Sequence, residues 1–510
     1  MLEVLALTAS GPAPGNPILA PEALAIETDE GSVRIAFEGP RRIRMHADGV
    51  GILLRSEASG PYDTLVPLGD DEWRYLRYEA RTTVRIRVRA GSLRSLSTWD
   101  GVRTGLLQLA GDAGTVIEVV EEPEAVGALH PLPTGGEVAG FTEFLELMPD
   151  CGAEFASTRE LAAYVLWSAL VEPSGFLGRP SILMSKNWMT NVWSWDNCFN
   201  ALALERIPWL AEHQYFSVFD HQTEDGRLPD YINDAFRSYS FVKPPIHGWA
   251  LRRMHDRGFV DERWLTTAYE PLSRWTNWWL TARSSGADTL PHYYHGNDSG
   301  WDNSTLFGSG VPVESPDLAA LLVLQMDVLA DVAAALGRVA DAEEWSERSQ
   351  RLLDLLLDRL WTGDRFVARH VNGGHVIPSS SLLTRVPLVL GSRLPQQVFR
   401  ALADDVGSDE FLTTSGLATE SLASPAYESD GYWRGPVWAP STMLIVDGLA
   451  AGGDDTLASR IADAFCWNVA RSGMAENFDA HSGQGLRDRA YSWTASVFLS
   501  LSSRYRSRGS

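Results

Sequence analysis

Residues 295–304 read His295-Gly-Asn-Asp-Ser-Gly-Trp-Asp-Asn-Ser304, a stretch without the apolar period of a helix or a strand. The carboxylate of Asp302 follows directly after a Gly-Trp pair. An indole offers a flat apolar face that suits a sugar ring, and a neighbouring carboxyl can exchange a proton with a glycosidic oxygen. The same residue types also suit an Asx-turn, in which Asp and Asn bond their own backbone. The stretch therefore needs support from elsewhere, and polar and aromatic residues at 475–493 provide it.

Length and composition describe a soluble globular protein with room for more than one domain. The chain has 510 residues, of which 45% are hydrophobic and 21% are charged. Its formal net charge is -23, and a surface of that sign repels polyanions and anionic lipids. The composition argues against nucleic acid or a membrane surface as a partner, and it leaves the oligomeric state open.

The cysteines and the N-terminus predict a cytoplasmic protein. Cys151, Cys198 and Cys466 are widely spaced and odd in number, which is typical of reduced thiols. The first residues, Met-Leu-Glu-Val-Leu-Ala-Leu, lack the basic region of a signal peptide. No uninterrupted apolar run is long enough to span a bilayer.

The N-terminal part of the chain predicts antiparallel strands over about residues 20–125. Arg42–Met45 and Val84–Arg89 alternate apolar and charged residues, and Thr115–Val120 is a short apolar run. The arginines could mark an anion-binding face. Because Glu and Asp are plentiful nearby, an ordinary solvated face is favoured.

A Pro/Gly-rich stretch, His130–Gly136, predicts a linker, so residues 1–140 are assigned to a β-rich domain with its linker and residues 141–510 to a catalytic domain. The pattern after the linker is helical. Ser157 and Glu160 form a capping box before an apolar run to Leu170, and Pro316 follows a cap at Ser315 in a helix to about Leu336. Further helices are predicted at 341–360, 456–469 and 491–504. The prediction is a mainly α protein, with room for about a dozen helices that could close into a double ring.

Tryptophan is unusually frequent, with 19 residues. Trp275, Trp278 and Trp279 have helical spacing and are predicted to be core residues. Others stand in short motifs that look like loops, namely Trp188, Trp193, Trp195, Trp301, Trp433 and Trp438. Loops rich in Trp favour a ligand with flat apolar faces and many hydroxyls, which describes a carbohydrate.

Four segments, read together, carry a resemblance to a known group of enzymes. They are Asn191-Val-Trp-Ser-Trp-Asp-Asn-Cys-Phe199, Gly300-Trp-Asp-Asn-Ser304, Gly431-Tyr-Trp-Arg-Gly-Pro-Val-Trp438 and Glu476-Asn-Phe-Asp479. In this order they resemble the inverting glycoside hydrolases of the trehalase, glucosidase I and mannosylglycerate and glucosylglycerate hydrolase group. The resemblance covers roughly residues 150–505, and the N-terminal strands lie outside it.

The resemblance implies an (α/α)6 barrel with a pocket at one end and a smaller antiparallel β domain before it. It also implies roles for particular residues: Asp302 would be the general acid, and Glu476 would be the general base. The other two segments would line the subsite for the cleaved sugar. Their implied substrate-binding residues are Trp193, Trp195, Asp196, Tyr432, Trp433, Arg434, Gly435 and Trp438, together with Trp301 of the Gly-Trp-Asp segment.

Two carboxyl groups suit inverting hydrolysis on chemical grounds as well. One must be protonated beside the leaving oxygen, and the other must activate water on the opposite face, roughly 6.5–9.5 Å away. A pocket walled by Trp would desolvate the acid and raise its pKa. The base must remain ionised, so we expect Glu476 in a more polar position.

Other polar residues compete for these roles. Asp298 is expected to support the acid from outside the site, and Asp196 either binds sugar hydroxyls or caps a helix. Glu420 and Glu428 are expected at solvated loop positions, and Arg434 either binds ligand or holds a carboxylate. The histidines at 221 and 247 are expected to be structural. Neither a metal site nor a cofactor motif is predicted.

Lys243 is a departure from the group's pattern. It precedes Pro244-Pro245, where trehalases and mannosylglycerate hydrolases usually have Gln. Its ammonium could donate to sugar hydroxyls or attract an anionic aglycone, or it could be neutralised by a nearby carboxylate. The last is slightly favoured in so acidic a chain.

These observations predict an inverting, exo-acting hydrolase of a small α-linked glucoside, or of a related α-glycoside such as a glycosylglycerate. The partner would be a small carbohydrate. One alternative is a sugar phosphorylase on an (α/α)6 barrel, in which phosphate replaces water; Glu476 in its motif counts against it. The other is a non-catalytic carbohydrate-binding protein, and the presence of both carboxylates counts against that.

Overall fold

The structure is a computed structural model that describes residues 3–20, 23–39, 42–57, 63–77, 82–97, 106–122, 140–187, 189–286 and 289–505. The chain divides into two compact units, Met1–Ala128 and Leu129–Ser510. The predicted linker at 130–136 and Trp188 lie outside the described residues.

The first unit is built from antiparallel strands in two sheets. The strands are β1 Glu3–Thr8, β2 Gly11–Ala13, β3 Asn16–Ala20, β4 Ala23–Thr28, β5 Gly31–Gly39, β6 Arg42–Asp48, β7 Gly51–Glu57, β8 Thr64–Gly69, β9 Glu72–Arg77, β10 Thr82–Ala90, β11 Leu93–Ser95, β12 Leu106–Gly111 and β13 Val116–Glu122. One sheet has the order β11-β12-β7-β1-β2, and the other has the order β3-β4-β5-β6-β13-β10-β9-β8. Side chains of both sheets, such as Ile52 and Leu109 from one and Met45 and Ile117 from the other, share one buried core. The unit is therefore a β-sandwich.

The alternating arginines of β10 follow the predicted pattern of a half-buried strand. Ile86 is fully buried, whereas Arg85 and Arg87 lie on the opposite face. Both guanidinium groups bind Glu72, each at 3.0 Å, and Arg85 also bonds to Glu122 at 2.6 Å. Because carboxylates neutralise these arginines, the solvated face is favoured over an anion-binding face. The strands before residue 20 were not predicted, since Pro12 and Pro17 interrupt their pattern.

The second unit is helical. Its α-helices are α1 Phe141–Leu147, α2 Ala156–Ala169, α3 Asp196–Ala203, α4 Pro208–Phe216, α5 His247–Asp256, α6 Glu262–Ala282, α7 Pro316–Ala335, α8 Val339–Leu360, α9 Gln396–Val406, α10 Ala439–Ala451, α11 Asp455–Ser472 and α12 Ser492–Arg504. 3-10 helices lie at Ala153–Phe155, Phe219–His221, Gly296–Ser299, Thr305–Phe307 and Leu382–Arg393. Helices thus dominate this unit alone, and the whole chain is an α and β protein rather than a mainly α one.

Six of the helices contact one another in a ring. Going round it, α3 contacts α5, α5 contacts α7, α7 contacts Leu382–Arg393, that segment contacts α10, α10 contacts α12, and α12 returns to α3. Every residue of α3 is buried, as are nearly all residues of α7 and α10. A helix that is apolar on every side is stable only inside a protein. The other long helices, such as α8, are buried along one face and pack outside this ring.

Helix α7 is long and apolar enough to cross a membrane by length and composition alone. In the protein, 78% of its most apolar window is buried by neighbouring parts of the chain. The same burial is found in core helices of globular proteins.

The predicted helices are confirmed, but the predicted side-chain caps are not. Ser157 lies within the first turn of α2, which begins one residue earlier after a 3-10 turn, and no side chain caps it. Pro316 does occupy the first position of α7. The Ser315 hydroxyl, however, donates to the carboxylate of Asp317 rather than capping the helix. The helices that begin near residues 341, 456 and 491 agree with prediction to within a turn.

Short two-residue strands brace the loops of the helical unit. They are β14 Leu170–Val171, β15 Ser181–Ile182, β16 Val192–Trp193, β17 Tyr231–Ile232, β18 Arg237–Ser238, β19 His292–Tyr293, β20 Val313–Glu314, β22 Val376–Ile377, β23 Leu412–Thr413, β24 Gly416–Leu417, β25 Asn477–Phe478 and β26 Gly485–Leu486, with β21 Ala368–His370 one residue longer. Several of them lead into the N-termini of ring helices: β16 precedes α3, β20 precedes α7 and β26 precedes α12. Segments that enter ring helices at the same end are brought close together.

Asp447 of α10 joins three elements by buried polar contacts. Its carboxylate accepts the Trp249 indole N–H at 2.7 Å and the Tyr505 hydroxyl at 2.8 Å, and Arg253 lies 2.9 Å away. We expect Asp447→Ala to lower the free energy of unfolding by roughly 3–5 kcal/mol, because it leaves a partly buried guanidinium and an indole N–H unpaired. Denaturant unfolding followed by tryptophan fluorescence measures the helical unit, since only Trp73 and Trp99 lie outside it. Exposed Glu343→Ala is the control, with a change within about 0.5 kcal/mol.

Candidate active site

A cavity of about 370 Å³ opens within the helical unit, a size suited to a small ligand. Its walls come from loops that enter ring helices. Trp195 and Asp196 stand at the start of α3, Lys243 lies just before α5, and Tyr432 and Trp433 lie before α10. A site assembled from loops on a rigid helical scaffold holds its side chains in fixed positions.

The cavity wall is acidic. Asp196, Asp230 and Asp302 line it, and Lys243 is the one basic residue among the described lining residues. The Lys243 ammonium lies 2.9 Å from the Asp230 carboxylate and donates to the carbonyl oxygen of Asn297 at 2.7 Å. The sequence left open whether Lys243 donates to sugar hydroxyls, attracts an anionic aglycone or is neutralised by a carboxylate. In the structure a carboxylate neutralises it.

Asp196 is the most buried of these carboxylates. Burial raises its pKa well above the usual range, and the positive charge of Lys243 partly offsets that effect. Its Oδ2 atom is buried and has no hydrogen-bond partner among the residues that the structure describes. Asp196 is the first residue of α3, so it is not the helix cap. Its carboxylate remains available to accept hydrogen bonds from hydroxyls of a ligand.

Asp302 follows the 3-10 helix Gly296–Ser299 and lines the cavity. Burial raises its pKa, and the nearby Lys243 works against that shift while the Asp230 charge adds to it. A raised pKa is what a general acid requires at neutral pH. The sequence-based expectation of desolvation at Asp302 agrees with this environment.

Asp298 holds the loop that carries Asp302. Its carboxylate accepts from Arg283 Nη1 at 2.6 Å, from the Tyr294 N–H at 3.0 Å and from the Val242 N–H at 3.1 Å. Asp298 is buried and does not line the cavity. This is the supporting position that the sequence predicted for it.

Glu476 lies just behind the cavity wall, next to Tyr432 and Tyr491, which both line it. Burial raises the pKa of Glu476 to about 7, while the charge of Arg487 and a side-chain hydrogen bond with Tyr432 lower it. The side chain is only 4% exposed. Glu476 is thus buried, but its contacts are polar: the Tyr432 hydroxyl, a backbone hydrogen bond from Asp488 and the charge of Arg487.

Tyr432 lies near both candidate catalytic carboxylates. Burial raises its pKa, and the charges of Asp302 and Glu476 raise it further. Its backbone φ is 63°, in the left-handed region that is unusual for a residue with a side chain. The Arg487 guanidinium lies 4.9 Å from the centre of the Tyr432 ring, and Arg487 has a positive φ of 59° as well. Strained backbone of this kind is concentrated at functional sites.

Most of the predicted site residues meet at the cavity, and some do not. Those that line it are Trp193, Trp195, Asp196, Lys243, Asp302, Tyr432 and Trp433. Trp301 and Trp438 lie behind Trp433, with ring centroids 4.7 Å and 4.0 Å from it. The prediction that Trp438 packs on a sugar is corrected: the residue is fully buried, and its indole N–H donates to the Tyr432 carbonyl.

Arg434, Gly435 and Glu420 also lie outside the cavity lining. Arg434 forms an ion pair with the exposed Glu428 at 2.9 Å. Of the two predicted roles, binding ligand or holding a carboxylate, this is the second. Gly435 has a φ of 148°, and an added Cβ would meet the Glu428 carbonyl at 2.2 Å, so its role is to allow a close turn. Glu420 is not solvated as expected; it is buried and accepts from the hydroxyls of Thr305 and Ser424.

Several lining residues were not assigned to the site from the sequence. They include Asp230, Tyr231, Ser238, Ser240, Tyr491 and Trp493. Asp230 follows a proline, a pattern that indicates a turn and carries no chemical signal. Trp493 could have been predicted, because it lies next to Tyr491 at the start of α12, shortly after the Glu476 motif. Among the described residues, no group of three or more His, Cys, Asp and Glu side chains could hold a metal ion.

Comparison with known proteins identifies the class of this enzyme. Residues 189–494, more than half of the chain, match the model of the mannosylglycerate hydrolase MGH1-like glycoside hydrolase domain. The match spans all of the residues that line the cavity. The chain belongs to this family, and it is a glycoside hydrolase.

Individual relatives agree with the family. Mannosylglycerate hydrolase of Rubrobacter radiotolerans is 25% identical over 407 residues, which cover 61% of this chain and 90% of the relative. Glucosylglycerate hydrolase of Mycolicibacterium hassiacum is 22% identical over 420 residues, covering 61% and 91%. The alternatives of a phosphorylase and a non-catalytic binding protein are not supported by these relatives.

Solved structures share the fold. A GH63 mannosylglycerate hydrolase from Thermus thermophilus, solved with Tris, has a TM-score of 0.59 at 19% identity and covers 66% of this chain and 98% of its own. A bacterial glucoamylase solved with acarbose has a TM-score of 0.63 at 10% identity, covering 99% of this chain and 88% of its own. The glucoamylase covers nearly the whole chain, including the N-terminal strands, whereas the mannosylglycerate hydrolase covers about two thirds of it.

The Lys243–Asp230 pair leads to a prediction about charge. Because Asp230 neutralises Lys243, we expect Lys243→Gln to weaken binding of neutral and acidic α-glycosides alike, with no selective loss for a glycerate conjugate. It also leaves a buried carboxylate without its partner, at a cost of roughly 3–5 kcal/mol in stability. The double variant Lys243→Gln/Asp230→Asn is the matched control and should regain part of that loss. Selective loss of acidic substrates, mimicked by high salt, would instead indicate a carboxylate-reading lysine.

The pKa of Glu476 leads to a prediction about pH. A base acts only when ionised, so kcat/KM should rise as the pH increases through about 7, where Glu476 loses its proton. Removing the positive charge in Arg487→Gln should move this rise to higher pH, because Arg487 lowers the pKa of Glu476. The measurement is kcat/KM from pH 5 to 9 at constant ionic strength. Full activity at pH 5 would contradict a titrating Glu476.

Proposed function

We propose that this enzyme is an inverting, exo-acting hydrolase of small α-linked glycosides. Asp302 would protonate the leaving oxygen, and Glu476 would remove a proton from the attacking water. The observation that carries the proposal is the position of Tyr432, which lines the cavity with Asp302 and forms a side-chain hydrogen bond with Glu476. This link supports the pair of carboxyl groups that inverting hydrolysis requires.

Direct displacement by water suits this arrangement of groups. Asp302 faces the cavity, where a glycosidic oxygen would lie, and burial favours its protonated form. The ionised form of Glu476 is stabilised by a backbone hydrogen bond from Asp488, the charge of Arg487 and a side-chain hydrogen bond with Tyr432. A water held by Glu476 would approach the sugar carbon from the face opposite Asp302 and invert its configuration.

The contacts of the helical unit support an (α/α)6 barrel as its architecture. Six segments form the contact ring, and further helices, among them α4, α8 and α11, pack on its outside. The cavity lies where the loops enter the ring helices. A pocket in such a position has one open end, which suits removal of a terminal sugar from a small molecule.

The substrate would be a glucoside, a mannoside or a related small α-glycoside. The named relatives act on mannosylglycerate and glucosylglycerate, and a cavity of about 370 Å³ suits a sugar with a short aglycone better than a polymer. Asp196, with an unpaired buried oxygen, and Trp195 would bind the cleaved sugar. All three cysteines are buried, and their odd number and wide spacing favour a reducing compartment such as the cytoplasm.

The proposal is tested with a panel of α-disaccharides, glucosylglycerate and mannosylglycerate. Release of a free hexose identifies the substrate, and proton NMR in the first minutes identifies the anomer. Inversion gives the β-anomer first. Release of the α-anomer would assign a nucleophile role to one of the carboxylates and overturn the proposal.

Substitution of the two carboxyl groups should separate acid from base. We expect Asp302→Asn and Glu476→Gln each to lower kcat on a natural glycoside by about 10²–10⁴-fold. On an α-glycosyl fluoride, whose leaving group hardly needs a proton, Asp302→Asn should keep much of its activity while Glu476→Gln does not. Glu428→Gln, an exposed carboxyl near the same loops, is the control and should match the wild type. Wild-type rates for Asp302→Asn on the natural glycoside would show that another group is the acid.

A further inference from the structure

Asn303 bonds to both sides of Tyr432. Its side-chain Nδ2 donates to the Gly431 carbonyl at 2.9 Å, and its Oδ1 accepts the Trp433 N–H at 2.9 Å. Gly431 and Trp433 are the chain neighbours of Tyr432, and Asn303 is the chain neighbour of Asp302. One amide side chain thus ties the loop of the candidate acid to the loop of Tyr432, although 128 residues or more separate the bonded groups along the chain.

Tyr432 has a backbone that requires such support. A left-handed φ in a residue other than glycine is strained and persists only where surrounding contacts enforce it. The Trp438 indole holds the Tyr432 carbonyl at 2.8 Å, and Gly431 donates to the Glu428 carbonyl at 3.0 Å. The two hydrogen bonds of Asn303 add to these contacts, and both connect the Tyr432 segment to the loop that carries Asp302.

The conformation of Tyr432 decides where its phenol ring lies. The ring packs edge-on against Trp438, with centroids 4.9 Å apart, beneath the guanidinium of Arg487. From this place it lines the cavity and interacts with the Glu476 carboxylate. A relaxed φ would swing the side chain away from both neighbours, because φ sets the direction of Cβ.

We propose that Asn303 is a positioning residue: by bonding to Gly431 and Trp433 it holds Tyr432 against Glu476 and so fixes the base relative to Asp302. This inference rests on the proposed function, since it takes Asp302 and Glu476 as acid and base. The side chain of Asn303 acts on catalysis only through Tyr432, and it lies outside the cavity lining.

The pH dependence of activity reports on this link. The groups that face Glu476 are Tyr432, Arg487, Asp488 and Tyr491. Burial raises the pKa of Glu476, and the charge of Asp488 adds to that effect, whereas a backbone hydrogen bond from Asp488, the charge of Arg487 and a side-chain hydrogen bond with Tyr432 lower it. A shift of Tyr432 that breaks this hydrogen bond while the ring still covers Glu476 raises the pKa of Glu476, and the acidic limb of the pH–rate profile moves to higher pH.

The experiment is a double-mutant cycle on the full-length enzyme with Asn303→Ala and Tyr432→Phe. Each single variant should lower kcat, by up to about 100-fold for a misplaced group, and should move the acidic limb of kcat/KM to higher pH. In the double variant, Asn303→Ala should add no further shift, because the hydroxyl through which it acts is already gone. Asn303→Asp, which keeps the acceptor for the Trp433 N–H, should fall between the wild type and Asn303→Ala.

A control variant separates positioning from general stability. Asn277→Ala removes an amide that accepts from Arg348 at 2.7 Å, on α6 and away from the cavity lining. It should leave the pH profile unchanged even if it lowers the melting temperature. An unchanged acidic limb in Asn303→Ala, or a further shift in the double variant, would overturn the inference.

Failure of the inference can be told from failure of the proposed function. If the wild-type enzyme releases no hexose from any α-glycoside, or releases the α-anomer first, the proposed function fails. If the wild type inverts configuration and Asn303→Ala keeps its acidic limb, the proposed function stands and the role of Asn303 is rejected.

Discussion

One ammonium group among several buried carboxylates is the constraint on which the site depends. Asp196, Asp230 and Asp302 line the same small cavity, and Lys243 is the only described cation in its wall. Taking carboxylates out of water is costly unless a counter-charge is near. Lys243 forms an ion pair with Asp230 and lowers the pKa of all three carboxyl groups, yet burial still raises the pKa values of Asp196, Asp230 and Asp302. The cavity is thereby prepared for hydroxyl donors and for proton transfer.

The position of that ammonium depends in turn on the scaffold. Lys243 stands before two prolines, which keep its segment extended, and its second bond reaches the Asn297 carbonyl in the loop that carries Asp302. Asp298 anchors the same loop through Arg283. Ring helices that are buried on nearly every side hold the ends of these loops, so the candidate catalytic groups are supported by a packed scaffold.

Individual residues show which features of the protein could be predicted from its sequence. The alternation in β10 predicted its buried face, and the order of four motifs predicted which loops would meet. The prediction was wrong where local rules were overridden: Ser157 does not cap α2, and Glu420 is buried rather than solvated. Local patterns describe what a segment favours by itself, whereas a cap or a pKa depends on neighbours that are distant in sequence. The ion pair between Asp230 and Lys243 could not be predicted for the same reason, because the local sequence Pro229-Asp230 carries no signal for a lysine partner.

By itself the sequence determined the antiparallel strands and the helices that follow them, the family resemblance and the two candidate catalytic carboxyl groups, because periodicity and short motifs are properties of contiguous residues. Only the tertiary structure decided which tryptophans face the cavity, that Lys243 is paired with Asp230, and that Asn303 supports Tyr432. These facts are distances between residues far apart along the chain. Such distances are set by packing of the helices and loops as a whole, and no local pattern encodes them.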